Sequence, residues 1–505
     1  MSTILSIDQG TTGTTALAID RDGRIVGRAY REIQQFYPQP GWVEHDPEDI
    51  WSSVQETVRG ALAAAGRDVG EISAVGITNQ RETVVLWDRE SGEPVHRAIV
   101  WQDRRTAPQT RELEAAGHAP LIRERSGLVI DPYFSGTKVA WLLEHVPGAR
   151  RRAEAGELAV GTIDSWLLWK LSGERLHATE PTNASRTQLY RIDELRWDPE
   201  LCDILGVPLA VLPEVLPSGS VFGMTQGDAV GFEAPVAGVM GDQQSALYGQ
   251  GAWEAGLGKC TYGTGAFLLV HTGDQVVPSS RGLLTTVAAG AKGEAAYALE
   301  GSVFIAGAAV QWLRDELGIL GDAEETEEIA RSLDSNDGVY FVPAFVGLGA
   351  PHWLPEARGT LVGLTRGSGR RHLVRAALES MAYSVNDLLA AMAADAGRAV
   401  SELRVDGGAA KNDWLMQFQA DIAQLPVVRP QVIETTAYGA ATLAGLTAGV
   451  LSSPEEVRAL QRVERRFEPG LPAADRDALL SGWHRAIYAA AAWARGPGVN
   501  VGGQA

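Results

Sequence analysis

Cysteine is nearly missing from this chain. Cys202 and Cys260 are the only two among 505 residues, so no disulfide framework is built into it. Basic residues are scarce relative to acids, 44 against 63. The resulting net charge of −19 argues against nucleic acid or an anionic membrane as the main partner, since both need a basic face. Long apolar runs are absent as well. The most apolar helical stretch, 301–313, falls short of the ~20 residues that cross a bilayer. The N-terminal segment lacks a basic region followed by an apolar core, which predicts no secretory leader and a cytoplasmic protein. Several signatures are missing too: the P-loop, a G-x-G-x-x-G after a strand, a G-x-S-x-G elbow, and any zinc spacing among the nine histidines.

What remains is a chain too long for one core, so two or more domains are expected. An acidic protein that binds a polyphosphate must neutralise it locally, through backbone N–H groups, a metal or a few placed cations. Residues 3–20 offer such a device. Two apolar alternating runs flank Gly10-Thr11-Thr12-Gly13, a β-hairpin whose turn has no bulky side chain. Its N–H groups and threonine hydroxyls can converge on an anion. Asp8 at its mouth either holds Mg²⁺ through water or closes an Asx turn.

Further along, a third strand is expected at 23–30, a helix opening at Asp46-Pro47, and strands at 72–78 and 83–88. Strands alternating with helices predict an α/β architecture. A loop is expected at 131–138 and a helix at 139–144. Strand 236–240 ends in Gly241-Asp242-Gln243-Gln244, and a small-residue helix follows at 246–251. The pattern then restarts: 257–262, the turn Gly263-Thr264-Gly265, and 266–271 form a second strand–Gly/Thr–strand unit, with a third strand at 295–299. A helix is expected at 303–317, a long one at 371–394, and a last one at 483–494, with 496–505 frayed. The boundary between the two units is placed near 248, giving domains 1–248 and 249–505.

Paired Gly/Thr hairpins predict a phosphate chain held between two facing domains. Asp242, at a strand end, serves as a helix N-cap, or as a general base or metal-side carboxylate facing Asp8. Arg81 and Glu82, just past an apolar strand, make either a solvated turn or a set of donors and acceptors for a small polyol. Trp101 and Tyr133 make either apolar walls or core.

On the segments Asp8-Gln-Gly-Thr-Thr12, Gly76-Ile-Thr-Asn-Gln-Arg-Glu-Thr83, Trp101-Gln-Asp-Arg-Arg-Thr106, Gly127-Leu-Val-Ile-Asp-Pro-Tyr-Phe-Ser-Gly-Thr-Lys138, Gly241-Asp-Gln-Gln244, Thr261-Tyr-Gly-Thr-Gly265, Ala298-Leu-Glu-Gly301, Gly363-Leu-Thr-Arg-Gly367 and Asp406-Gly-Gly408, the chain resembles the FGGY carbohydrate kinases over essentially its whole length. The second and fourth of these segments are similar to those of members that act on glycerol. The resemblance implies two actin-like (ribonuclease H-like) domains, each a mixed sheet flanked by helices, with ATP, Mg²⁺ and glycerol in the cleft between them. It implies that Arg81, Glu82, Tyr133, Asp242 and Gln243 bond glycerol, with Trp101 and Phe267 behind its carbons. It assigns the phosphates to Thr11, Thr12, Gly13 and Thr264, and the nucleoside to Gly307, Gln311, Gly408 and Asn412. Asp8 and Asp242 would flank Mg²⁺, with Asp242 also the base. A homodimer or homotetramer is expected.

The chain departs from the family's pattern at two places. Thr15 stands where the family often carries arginine. The stretch 225–234, where some bacterial members bind fructose 1,6-bisphosphate through arginine, holds two acids and no base. It also lacks the histidine that other bacteria phosphorylate there. Weak or absent regulation by that sugar phosphate is expected.

Overall fold

A computed structural model describes residues 2–495; the end expected to fray, 496–505, lies outside the described residues. The alternating runs of the opening stretch form β1 (Thr3–Gln9) and β2 (Gly13–Asp20), paired antiparallel from Thr3↔Asp20 to Gln9↔Thr14. The Asp22-Gly23 turn, with Gly23 at φ 75°, leads into β3 (Ile25–Glu32). With β4 (Ile72–Asn79), β5 (Gly223–Met224) and β6 (Pro235–Gly241) they make a six-stranded sheet in the order β5-β6-β4-β1-β2-β3.

The second sheet has seven strands. They are β7 (Leu257–Tyr262), β8 (Ala266–Gly273), β9 (Leu284–Ala289), β10 (Ala295–Val303), β11 (Glu402–Asp406), β12 (Val427–Pro430) and β13 (Val463–Phe467), in the order β9-β10-β8-β7-β11-β12-β13. Laid side by side, β3-β2-β1-β4-β6-β5 and β10-β8-β7-β11-β12-β13 share one pattern: two antiparallel pairings, two parallel, one antiparallel. The repeat read from two hairpins therefore extends to six strands of each sheet.

Helices cover the sheets. Pro47–Ala65 is capped by the Asp46 carboxylate accepting from Glu48 N, and it buries Ile50, Val54, Val58 and Leu62. Arg370–Ala396 lies in the core of the second sheet. The helix Thr435–Thr447 belongs to the second half in sequence but packs on the first sheet. Ala437, Tyr438, Ala441 and Ala444 join Ile4, Leu17 and Ile19 in one apolar cluster. Glycines permit this approach: a Cβ on Gly76 would come 2.2 Å from Ala440 O, and one on Gly238 would come 2.8 Å from Ala444 N.

Several expectations change, among them the small-residue helix expected at 246–251, which is Asp242–Gly249. The helix expected from 139 begins at Ser135 and runs to His145. The stretch 303–306, expected as helix, finishes β10 and turns, and the helix is Gly307–Asp315. β9 was not expected, and the last helix is the longer Ala473–Arg495. Among the described residues no helix is long and apolar enough to cross a membrane.

Candidate active site

Parallel pairing places the site. Gln9, Asn79 and Gly241 stand in register, so β1, β4 and β6 end together. The residues just past those ends therefore emerge at one edge of the sheet: Gly10, Gln80-Arg81-Glu82, and Asp242-Gln243. Ligands of open α/β sheets bind at such edges. Gly241 is the N-cap of the helix Asp242–Gly249, so Asp242 is its first residue, half-buried, and not the cap. The second sheet repeats the arrangement, with Thr261 in register with Asp406 and loops after both strands.

Each Gly/Thr turn is closed by a backbone bond, Gly10 N donating to Gly13 O at 2.9 Å and, one residue tighter, Gly263 N to Gly265 O at 2.8 Å. Thr12 and Thr264 are exposed at their tips; Thr11 is half-buried and Gly13 buried. Trp101 Nε1 donates to Thr11 Oγ1 at 2.9 Å, and its ring meets Tyr133 edge-on, centroids 5.5 Å apart. The proposed apolar wall is thereby tied to the first loop. The second loop is tied to the helix Gly307–Asp315: Gly307 N donates to Gly263 O, and Ala306 N and Ala308 N donate to Thr264 O. A Cβ on Gly307 would come 2.6 Å from Gly263 O. Gln311, one turn on, is exposed, as is Gly408. Asn412 has another task. It accepts from Leu415 N as a helix cap and donates to Thr326 Oγ1, so both its amide groups are engaged.

Arg81 and Glu82 are not on a solvated turn; they are 3% and 1% exposed. Glu82 sits at φ 62°, a conformation an ordinary side chain seldom adopts, and Ser135 Oγ donates to its carbonyl. Two residues that the sequence reading missed surround the pair. Glu300 of β10 accepts from Arg81 Nη1 and Nη2 at 2.7 and 2.9 Å, and from Arg186 Nη2 and Nη1 at 3.1 and 3.3 Å. Arg186 Nε donates to Glu82 Oε1 at 2.6 Å. Arg81 Nη1 also donates to Gln244 Oε1, and Arg81 Nε lies 3.3 Å from Asp242 Oδ1. A buried four-charge network thus joins the two sheets and ends at Asp242. Glu300 lies within the quoted Ala298–Gly301 segment, but no spacing rule distinguishes it from a core acid.

Burial pushes Glu300 up, but the guanidiniums of Arg186 and Arg81 outweigh that and bring it down to about 2. Asp8 goes the other way: burial, then the nearby charge of Asp242, raise it to about 7. Among the described residues Asp8 has no cationic partner. Carboxylates of this kind can hold a divalent cation, although no cluster of three or more ligand-type side chains is found among the described residues. Phe267 pairs with Thr261 and Ser302 in register, on the sheet face that carries Lys259 and Glu300.

Residues 3–249 match the N-terminal domain, and 258–448 the C-terminal domain, of the FGGY family of carbohydrate kinases. A glycerol kinase of Symbiobacterium thermophilum is 55% identical over 97% of this chain and 99% of its own length. One from Dechloromonas aromatica is 56% identical over 97% and 98%. The structure of Plasmodium falciparum glycerol kinase with ADP superposes with a TM-score of 0.92 at 36% identity, covering 97% of this chain and 98% of that one. The chain belongs to the FGGY family of carbohydrate kinases, with that family's two-domain actin-like fold.

Proposed function

We propose that the protein transfers the γ-phosphoryl group of ATP to glycerol, giving sn-glycerol 3-phosphate and ADP. The observation that carries this reading is that Arg81, Glu82, Asp242 and Gln243 emerge at the sheet edge that carries the turn at 10–13, with Arg81 bonded to Glu300 and Gln243 to Lys259 of the second sheet. Relatives 55–56% identical over nearly the whole chain support it.

In this reading glycerol lies against Trp101, Tyr133 and Phe267, with its hydroxyls bonded by Arg81, Glu82, Asp242 and Gln243. Asp242 accepts the proton of the attacking hydroxyl. Backbone and hydroxyl donors of Thr11, Thr12, Gly13 and Thr264 hold the phosphates. Gly307, Gln311 and Gly408 border the nucleoside, and Asn412 shapes that border through the helix it caps. Asp8 and Asp242 would hold Mg²⁺, which when bound neutralises phosphate charge. Units 1–248 and 249–505 form the two walls, and their apposition excludes water from the reacting hydroxyl. The protein works in the cytoplasm as a homodimer or homotetramer.

The test is an acceptor panel with ATP and Mg²⁺: glycerol, dihydroxyacetone, glyceraldehyde and a pentulose. Glycerol should give the highest kcat/KM. A higher value for another acceptor would replace glycerol as the substrate, and no ADP release with any of them would end the kinase reading.

Arg81→Ala should raise KM for glycerol much more than it lowers kcat, and it should also lower Tm, because Glu300 loses a bidentate partner. Unchanged KM would remove Arg81 from the site. Fructose 1,6-bisphosphate should inhibit weakly or not at all, since Asp228 and Glu233 are the exposed charges of 225–234. Saturable inhibition at physiological concentrations would contradict this.

A further inference from the structure

Lys259 is fully buried in β7, between Leu269 of β8 and Arg404 of β11. Its Nζ reaches out of the second sheet and donates to Gln243 Oε1 and to Thr261 Oγ1, the latter at 3.0 Å. Burial draws its pKa below the usual lysine value, and the carboxylates of Asp406 and Asp242, which favour the ammonium, oppose that only in part. An ammonium has donors only, so the amide of Gln243 can meet it solely through oxygen. Gln243 Nε2, which has no partner among the described residues, therefore keeps two N–H donors free on a half-buried side chain.

We propose that Lys259 is a positioning residue that sets the direction of the attacking hydroxyl's proton. With Gln243 able only to donate, a hydroxyl that bonds it must accept. Its own hydrogen is then free for a second partner, and the neighbouring Asp242 carboxylate is the acceptor beside it. Without Lys259 the amide could turn over and take that hydrogen itself, in competition with the base. This inference rests on the glycerol kinase reading and adds to it a residue contributed by the opposite sheet.

Glycerol phosphorylation by the unsubstituted protein is measured first, so failure of the underlying reading shows there. Lys259→Met keeps length and removes the donor. It should reduce kcat/KM for glycerol roughly tenfold, the scale of one charge-assisted hydrogen bond, and leave KM for ATP unchanged. Lys259→Arg should recover part of the loss. In a Gln243→Ala background, Lys259→Met should add nothing, because the lysine acts through that amide. Unchanged kcat/KM in Lys259→Met, or a full additional loss in the Gln243→Ala background, would overturn the assignment. If Lys259→Met does not fold, Gln243→Glu decides. That side chain still accepts from Lys259 but offers glycerol no donor, so kcat/KM for glycerol should fall at least tenfold. Normal kcat/KM there would overturn the proposal.

Discussion

Replacing Asp242 by asparagine should lower kcat between about 10²- and 10⁴-fold, the usual contribution of a positioned general base. Glycerol should still bind, because the amide keeps an oxygen near Arg81 Nε, which lies 3.3 Å from Asp242 Oδ1. The two effects separate in measurement: kcat from ADP release, and glycerol binding from calorimetry on the variant. The helix should survive, since Gly241, not Asp242, is its N-cap. Near-normal turnover would deny Asp242 the role of base. Loss of glycerol binding together with turnover would instead make it a binding residue.

Glu300→Ala should be the most destabilising single change near the site. It strips the shared carboxylate from Arg81 and Arg186, which are 3% and 0% exposed. Removing one member of a buried pair costs about 3–5 kcal/mol, mainly because the remaining charge stays desolvated. Tm should fall clearly, and Glu300→Gln, which keeps the shape and the oxygen, should fall less. The pH dependence has a defined sign. The folded-state pKa of Glu300, about 2, lies below its ordinary value of 4.5, so the stabilisation is whole above that value. It fades as pH falls toward 2. Acid unfolding of Glu300→Gln should therefore be less steep in that window. An unchanged Tm for Glu300→Ala would mean that the network is not formed in solution.

The opening hairpin was legible because its physics is local: alternating apolar residues, then small residues at a turn. The second hairpin was legible for the same reason, and together they predicted the duplicated architecture. The helix Thr435–Thr447 was not. Its alanines, glycines and threonines are buried on nearly every side, so it has no amphipathic period to read. Its place on the first sheet depends on Gly76 and Gly238, more than 190 residues away in the chain. β9 was missed likewise, because its pairing with β10 only fills an edge.

In the site the same division holds. Asp8 is the penultimate residue of β1, and Arg81, Glu82, Asp242 and Gln243 come within three residues of a strand end; polar residues where an apolar strand stops are a local pattern. Sequence alone thus determined the α/β class, the two Gly/Thr turns and the polar residues at the sheet edge. Tertiary structure decided which charges oppose them. Glu300, Arg186 and Lys259 lie inside or beside elements that read as ordinary core, and their work depends on partners in another part of the chain. Local periodicity records which face of an element is buried. It carries no record of what lies across that face, because register between distant strands is set only when the two sheets come together.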